Sequence, residues 1–351
     1  MHDNSEMNGC KGNTPILLFC YNRLSPVISV INSLLQNDSI DQYKLYIYID
    51  GPKNNDDQSK VDAVIKYLEG VEGFNEKLIN KSEVNKGLAH SVIEGITAVV
   101  ENHGRVIVLE DDIVVSKKFL ATMEHFLDLY EDDQRIFHIN GWTDPLMSKV
   151  LKEKSIDIYA HKVMHCWGWA TWKDRWENFD KNPNASFFNL NPVLMLKLND
   201  GISSNVIDQI FLNFRKKINT WAIFWFLTIY LKHKKCISFD ESLCHNVGFG
   251  EDATHCKGLV IDQLDLSNKE YIGEDIKLVF SHKILFQYNL LKFKKLSFKT
   301  ILKRCLKTGI QILYLYWFKI IFLLKDKKVK QGLTEKDSKA QILASHQGRD
   351  R

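Results

Sequence analysis

Residues Arg105 to Asp112 constrain this chain more than any other stretch: four apolar residues, Val106-Ile107-Val108-Leu109, run straight into Glu110, Asp111 and Asp112. A short β-branched apolar run predicts a strand covered by helices on both faces, as in a mainly parallel sheet. Open α/β sheets bind ligands in the crevice outside the carboxyl ends of their strands, so the three acids would stand at that lip. Three adjacent carboxylates repel one another unless a cation offsets them. The pattern points to a hard divalent cation held between one or two carboxylates and a substrate diphosphate. The rival account is a solvated acidic turn. Glu131-Asp132-Asp133 is a second such triplet, but it follows a helical pattern and reads as a solvated helix end.

The chain before the acids repeats a β-α unit. Pro15 to Cys20 is an apolar strand, and Ser25-Pro26 supplies an N-cap and a first-turn proline for a helix through Leu35. Tyr21-Asn22-Arg23 lies between them, where a nucleotide can meet backbone N–H groups and a cation; an ordinary loop arginine is the equal alternative. Tyr43 to Ile49 predicts a second strand ending at Asp50, followed by a polar helix over Asp56 to Glu69. A turn at Asn85-Lys86-Gly87-Leu88 then leads into an amphipathic helix over Ala89 to Glu101. Repeated β-α units with ordinary connections imply right-handed crossovers and a parallel sheet.

After Asp112 the pattern predicts a helix over Lys117 to Tyr130 and a strand over Ile136 to Ile139, leading into Asn140-Gly141-Trp142-Thr143-Asp144. Four tryptophans follow within twelve residues, Trp167, Trp169, Trp172 and Trp176, and then Trp221 and Trp225. Aromatic faces stack on the CH patches of sugar rings while the sugar hydroxyls hydrogen-bond at the rim. Trp172 and Trp176, spaced i, i+4, read as one helical face turned into the core. Trp142, Trp167, Gly168 and Trp169 are the candidates to line an acceptor site.

In this order, Pro15 to Arg23, Asp50-Gly51, Asn85 to Leu88, Leu109 to Asp112, His138 to Trp142 and Trp167 to Trp169 resemble the GT-A glycosyltransferases of bacterial surface-polysaccharide clusters. They are also similar to the alpha-mannoside beta-1,2-N-acetylglucosaminyltransferase family, in which a Glu-Asp-Asp triplet stands where other GT-A enzymes carry Asp-x-Asp. The resemblance covers roughly residues 14 to 256 and implies an α/β fold, GT-A and Rossmann-like, with a mainly parallel sheet flanked by helices. It implies a nucleotide-sugar donor held by Mn2+ or Mg2+. Asp112 would be the direct ligand, and Asp111 and Glu110 would contact the donor sugar or ribose. Arg23, Asp50, Asn85 and Lys86 would border the donor, and His255 would match in order a late histidine that joins the metal or diphosphate.

An inverting transferase also needs a carboxylate to take the acceptor hydroxyl's proton. In the eukaryotic relatives that acid directly follows a tryptophan, but here Trp221-Ala222-Ile223-Phe224-Trp225 offers none. Asp208 is the first substitute and Asp144 the second, with Glu251 and Asp252 behind them. Two other classes are compatible with parts of the chain. A nucleotidyltransferase acting on sugar phosphates would share the sheet and the carboxylates, but Tyr21-Asn22-Arg23 is not its Gly-rich loop. A non-catalytic glycan-binding relative would need no Glu110 to Asp112.

Beyond Lys257 the composition changes. Residues 292–304 are strongly basic, and Thr308 to Leu324 is apolar and aromatic, interrupted only by Gln311 and Lys319. Seventeen residues with an internal lysine are short and costly for a bilayer span. The stretch suits equally an interfacial helix on anionic lipid and a helix packed on the catalytic domain. Residues 257–334 are therefore expected to form a helical, basic C-terminal extension; membrane contact through 292–330 would suit a glycan acceptor linked to polyprenyl diphosphate. Residues 1–13 and 335–351 are polar and expected to be disordered. Residues 1–13 contain no apolar secretory segment, which points to the cytoplasm, at most peripheral on the inner face of its membrane, with reduced cysteines. The formal charge of +4, with the excess in the last third, does not suggest a nucleic-acid partner. Cys244-His245 and His255-Cys256 lack the spacing of a structural zinc site.

Overall fold

The computed structural model describes residues 14–198, 205–248, 264–271, 278–279, 282–294, 296–297, 299–300 and 302–320. The chain forms two compact units. One comprises Met1–Lys181 and Asn219–Lys292, the other Asn182–Ile218 and Phe293–Arg351.

In chain order the first unit begins β1 (Ile16–Cys20), α1 (Leu24–Leu34), β2 (Lys44–Ile49), α2 (Asn55–Glu69), β3 (Glu76–Lys81), α3 (Leu88–His103) and β4 (Arg105–Glu110). It continues with β5 (Ile113–Val115), α4 (Phe119–Leu129), β6 (Ile136–Asn140), α5 (Pro145–Lys152), β7 (Ile158–His161), β8 (Trp169–Trp172) and α6 (Lys173–Trp176). The second unit contributes α7 (Pro183–Asn189), α8 (Pro192–Leu198) and α9 (Asn205–Phe214). The first then resumes with α10 (Ala222–Leu231), β9 (Lys235–Phe239), β10 (Cys244–Asn246) and β11 (Leu278–Val279). Helix α11 (His282–Lys294) carries the chain into the second unit, where residues 302–320 are helical.

Among the described residues, nine strands form one mixed sheet in the order β11-β7-β9-β6-β8-β4-β1-β2-β3. Strands β3, β2, β1 and β4 are mutually parallel, β8 runs against both β4 and β6, and β6 is parallel to β9. The carboxyl ends of β1, β2, β4, β6 and β9 therefore share one edge with the start of β8. The α/β sheet flanked by helices agrees with the sequence reading.

Alternation along the central strands explains why helices cover both faces. Ile16, Leu18, Ile107 and Leu109 pack with α1, α2 and α4 through residues such as Val27, Val64 and Phe119. Leu17, Phe19, Val106 and Val108 pack on the other face with Val92 and Ile96 of α3 and with Trp169, Trp176 and Trp225. Each fully buried aliphatic side chain contributes roughly 1.5–3 kcal/mol relative to exposure. The sheet's β3 edge is polar, as an unpaired edge that must resist pairing with other chains should be. From β3, Lys77 donates to the carbonyls of Leu68, Glu69 and Val71 at the end of α2, satisfying acceptors that a helix terminus leaves open.

The second unit is built around Phe187, which is fully buried and meets the rings of Phe211, Phe214 and Phe318 at 5.1, 4.0 and 5.7 Å. Phe318 lies on the 302–320 helix, and Lys319 of the same helix donates to the Leu190 carbonyl at 2.6 Å. Among the described residues, no helix is long and apolar enough to cross a membrane.

Candidate active site

The acid triplet stands where the sequence places it, at the carboxyl end of β4, with Glu110 opposite Phe19 of β1. Arg23 reaches it from the loop after β1. Its guanidinium pairs with Asp111 and donates to Asp112 Oδ2 at 2.9 Å. The loop is itself held in place. Tyr21 donates its hydroxyl to Asp57 Oδ2 at 2.8 Å and Asn22 its amide to Asp57 Oδ1 at 2.9 Å, both on the first turn of α2. The Asp57 N–H in turn donates to the Asn54 side chain that caps the helix. Asp57 was not singled out from the sequence. Asn54 three residues before an acid is the cap signature that could have flagged it.

Among the described residues, one cation, Arg23, faces the three acids, and the electrostatics follow. Burial, then repulsion from Asp112 and Asp111, pushes the Glu110 carboxyl up to about 8. Burial also raises Asp111 to about 6, against the pull of Arg23. Burial disfavours the Arg23 charge, but the two aspartates more than offset it and hold the guanidinium protonated. The cluster is thus a set of hard oxygen donors with surplus negative charge, which fits a divalent cation completed by phosphate oxygens. Among the described residues, no group of three or more His, Cys, Asp or Glu side chains is arranged to hold a metal ion.

A second segment converges on Asp112. Strand β5, which follows it directly, pairs antiparallel with β10, and the Val247 N–H donates to the Asp112 carbonyl at 2.8 Å. Gly248 comes next, and a Cβ there would fall 2.1 Å from Asp112 Oδ2. The carboxylate occupies the space a side chain would need. The sequence reading missed Gly248 because nothing local separates it from an ordinary loop glycine. His255, Glu251 and Asp252 lie outside the described residues.

Asp50 ends β2 on the same edge, but its carboxylate is engaged by backbone: it accepts from the N–H groups of Gly51, Lys86 and Gly87 at 3.0, 2.8 and 2.8 Å. Asn85 donates to the Gly51 carbonyl at 2.7 Å, and the Lys86 ammonium pairs with Glu94 at 2.7 Å on the surface. Asp50 and Asn85 fasten the turn that opens α3, so their side chains are committed to the protein rather than turned to a ligand.

Of the expected acceptor wall, two members stand at the sheet edge. Trp142 follows β6 and Trp167 precedes β8, their rings crossing edge to face at 5.0 Å; His165 packs against Trp142 at 4.7 Å. The Trp142 Nε1 has no hydrogen-bond partner among the described residues. Trp169 corrects the sequence reading. It is the first residue of β8, fully buried, stacked between His138 at 4.8 Å and Trp221 at 5.4 Å. Gly168 is corrected too: its carbonyl accepts from the Gly141 N–H at 2.6 Å, where a Gly141 Cβ would clash, so the pair is a backbone close approach. Trp172 and Trp176 are core as expected, though Trp172 ends a strand instead of lying on a helix.

A buried polar chain lies behind these tryptophans. Trp225 Nε1 donates to His138 Nδ1 at 3.2 Å, so the proton sits on His138 Nε2, which donates to Asn140 Oδ1 at 2.9 Å and the His165 carbonyl at 3.1 Å. Asn140 donates to Ser238 Oγ, which also meets His161 Nε2 at 2.7 Å.

The two expected bases fare differently. Asp144 is the N-cap of α5, its Oδ1 accepting from Leu146 and Met147, and it lies near enough to His165 to favour that imidazole's protonation. Burial dominates, holding His165 down at about 4. Asp208 belongs to the second unit, where it pairs with Lys307 and accepts from Gln311 Nε2 at 2.6 Å. Both of its oxygens are occupied, the arrangement of a structural latch and not of an unencumbered base.

Neither a family model nor a curated protein matches this chain. Among solved structures, the mannosyltransferase PcManGT from Pyrobaculum calidifontis, in complex with GDP-Man and Mn2+, is similar at 11% identity over 46% of this chain and 45% of that one, with a TM-score of 0.32. S. aureus TarS is similar at 13% identity over 48% of this chain and 30% of its own, with a TM-score of 0.31. The chain thus spans less than half the length of either.

Proposed function

We propose that this protein is a metal-dependent glycosyltransferase that moves a sugar from a nucleotide-sugar donor to a glycan acceptor, with inversion. The observation that carries this reading is the cluster of Arg23, Asp111 and Asp112 at the carboxyl edge of a mainly parallel sheet, joined to the sequence pattern around it. Asp112 would hold Mn2+ or Mg2+, with Asp111 and Glu110 turned to the donor's sugar or ribose. When bound, the ion would offset the charge that develops on the leaving diphosphate. Arg23 orients Asp111 and Asp112 and opposes the rise that burial causes in Asp111, and its guanidinium suits a phosphate oxygen as well as it suits a carboxylate. Trp167, partly exposed beside the largely buried Trp142, would offer the stacking face for the acceptor sugar. Asp144 takes the acceptor proton in this scheme: its Oδ1 is fixed by two backbone N–H groups, which orients Oδ2. Extension of a bacterial surface polysaccharide, O-antigen or capsule, is the setting that the sequence resemblance suggests.

The test is binding of UDP, GDP, CMP and TDP, by thermal shift and calorimetry, with and without Mn2+, to the protein and to Asp112→Ala. One nucleotide should bind more tightly with Mn2+, and the variant should lose that gain. Because Glu110 and Asp111 hold protons into the neutral range, the Mn2+ effect should grow as pH rises from about 6 to about 8. If no nucleotide binds under any condition, the transferase reading fails and a glycan-binding role replaces it.

A further inference from the structure

The helix over 302–320 is apolar on the wrong side for a packed helix. Leu302, Leu306, Ile310, Leu313, Tyr316, Trp317 and Ile320 are all large and all exposed, Ile310 at 66% and Leu313 at 72%. At about 100° per residue they fall within an arc of roughly 120°, so they make one continuous stripe. The opposite face carries what the second unit holds: Leu315, Gln311 and Phe318, with Gln311 bound to Asp208. Isolated exposed apolar residues are ordinary, but a row of seven is a surface that something covers.

Charge says what covers it. From Ile276 to Lys325 the sequence contains no Asp or Glu, while Lys292, Lys294, Lys295, Lys299, Lys303, Arg304 and Lys307 crowd the approach to and first turns of this helix. Lys299, Lys303 and Lys307 are exposed beside the stripe. In the same unit, a cavity of about 970 Å3 is lined by Phe188, Phe214, Tyr314 and Trp317 together with Arg215 and Lys216. Arg215 lies over the Tyr314 ring at 5.7 Å. Rings with cations at their rim match the boundary between acyl chains and phosphates. The helix also holds four cations, Lys303, Arg304, Lys307 and Lys319, over its described length, which sets it along a membrane and not through one.

We infer that the exposed stripe of helix 302–320 docks this protein on an anionic lipid bilayer, its apolar row entering the acyl boundary and its lysines meeting the phosphates. This docking needs neither nucleotide nor metal, so it stands or falls apart from the proposed transferase activity. The test is flotation of the full chain with vesicles of phosphatidylcholine alone and of phosphatidylcholine mixed with phosphatidylglycerol. The protein should float with the mixed vesicles and be released by salt. Ile310→Asp with Leu313→Asp should lower the bound fraction about tenfold or more, while Leu231→Asp, at an exposed apolar site of the first unit, should leave it unchanged. Both altered residues face solvent, and an unchanged melting temperature checks that the fold survives. Absence of the protein from mixed vesicles, or equal flotation of the double variant, would overturn the inference. So would a dimer in light scattering that the double variant dissociates without any vesicle binding, which would give the stripe to a second copy of the chain.

Discussion

His138 carries no charge in the folded protein, and its surroundings show why. Burial holds it down at about 3, and the nitrogen that would take the proton already accepts from Trp225. His161, equally buried, is held well below its ordinary value for the same first reason. The sign follows from proton counting. Above the unfolded value of about 6.5 neither state binds a proton and the full stability is present; as pH falls below it the unfolded chain gains a proton that the folded imidazole refuses, so stability drops toward the folded value. Glu110, held up at about 8, acts in the opposite sense over an overlapping range, because there the folded state binds the extra proton. A difference measurement isolates the histidine. Stability by urea denaturation at pH 7.5, 6.5 and 5.5, minus the same curve for His138→Gln, should fall with pH at a slope approaching ~1.4 kcal/mol per unit. A flat difference would mean that His138 protonates in place.

The pairing of β5 with β10 makes the Asp112 carboxylate the meeting point of two segments far apart in sequence. Gly248→Ala should therefore act on the site more than on the fold. The added methyl must displace Asp112 or the chain at 248, with a stability cost of about 1–3 kcal/mol. Mn2+-dependent nucleotide affinity should fall about tenfold or more while circular dichroism stays unchanged; normal affinity would show that Asp112 can yield without consequence. Such a contact is invisible in sequence, since it is set by register between distant strands. What could be read were elements whose pattern is imposed locally. β1, β2 and β4 are apolar runs because helices cover both their faces, and α3 shows its period because one face is buried. β3 escaped notice because an edge strand gains from charge, and Glu76 to Lys81 resembles a loop. β8 was hidden for the opposite reason: Trp169-Ala170-Thr171-Trp172 is buried throughout, so it shows no alternation, and its tryptophans suggested a ligand wall. Burial of an aromatic depends on its neighbours in the sheet, and those are known only once the strand order is.

The division into two units changes which residues can be grouped. Asp208 is the sequence's first substitute for an acid that the family pattern lacks here, yet its partners, Lys307 and Gln311, come from a segment about a hundred residues later in the same unit. With Lys307 half-exposed, the ion pair contributes under about 1 kcal/mol. Asp208→Asn should accordingly leave Mn2+-dependent nucleotide binding and turnover within about twofold of the parent. Turnover lost with binding intact would return Asp208 to the reaction as its base. The acid-free run from Ile276 to Lys325 has a further effect at this scale. It holds eleven of the chain's 47 Lys and Arg, so the rest of the molecule carries a formal charge of −7 beneath a total of +4. Oppositely charged regions of different copies attract at low ionic strength, and screening that attraction leaves the exposed stripe of helix 302–320 to act, more strongly as salting-out ions are added. Colloidal solubility should therefore pass through a maximum at intermediate salt, and the protein should adhere to anion and cation exchangers alike.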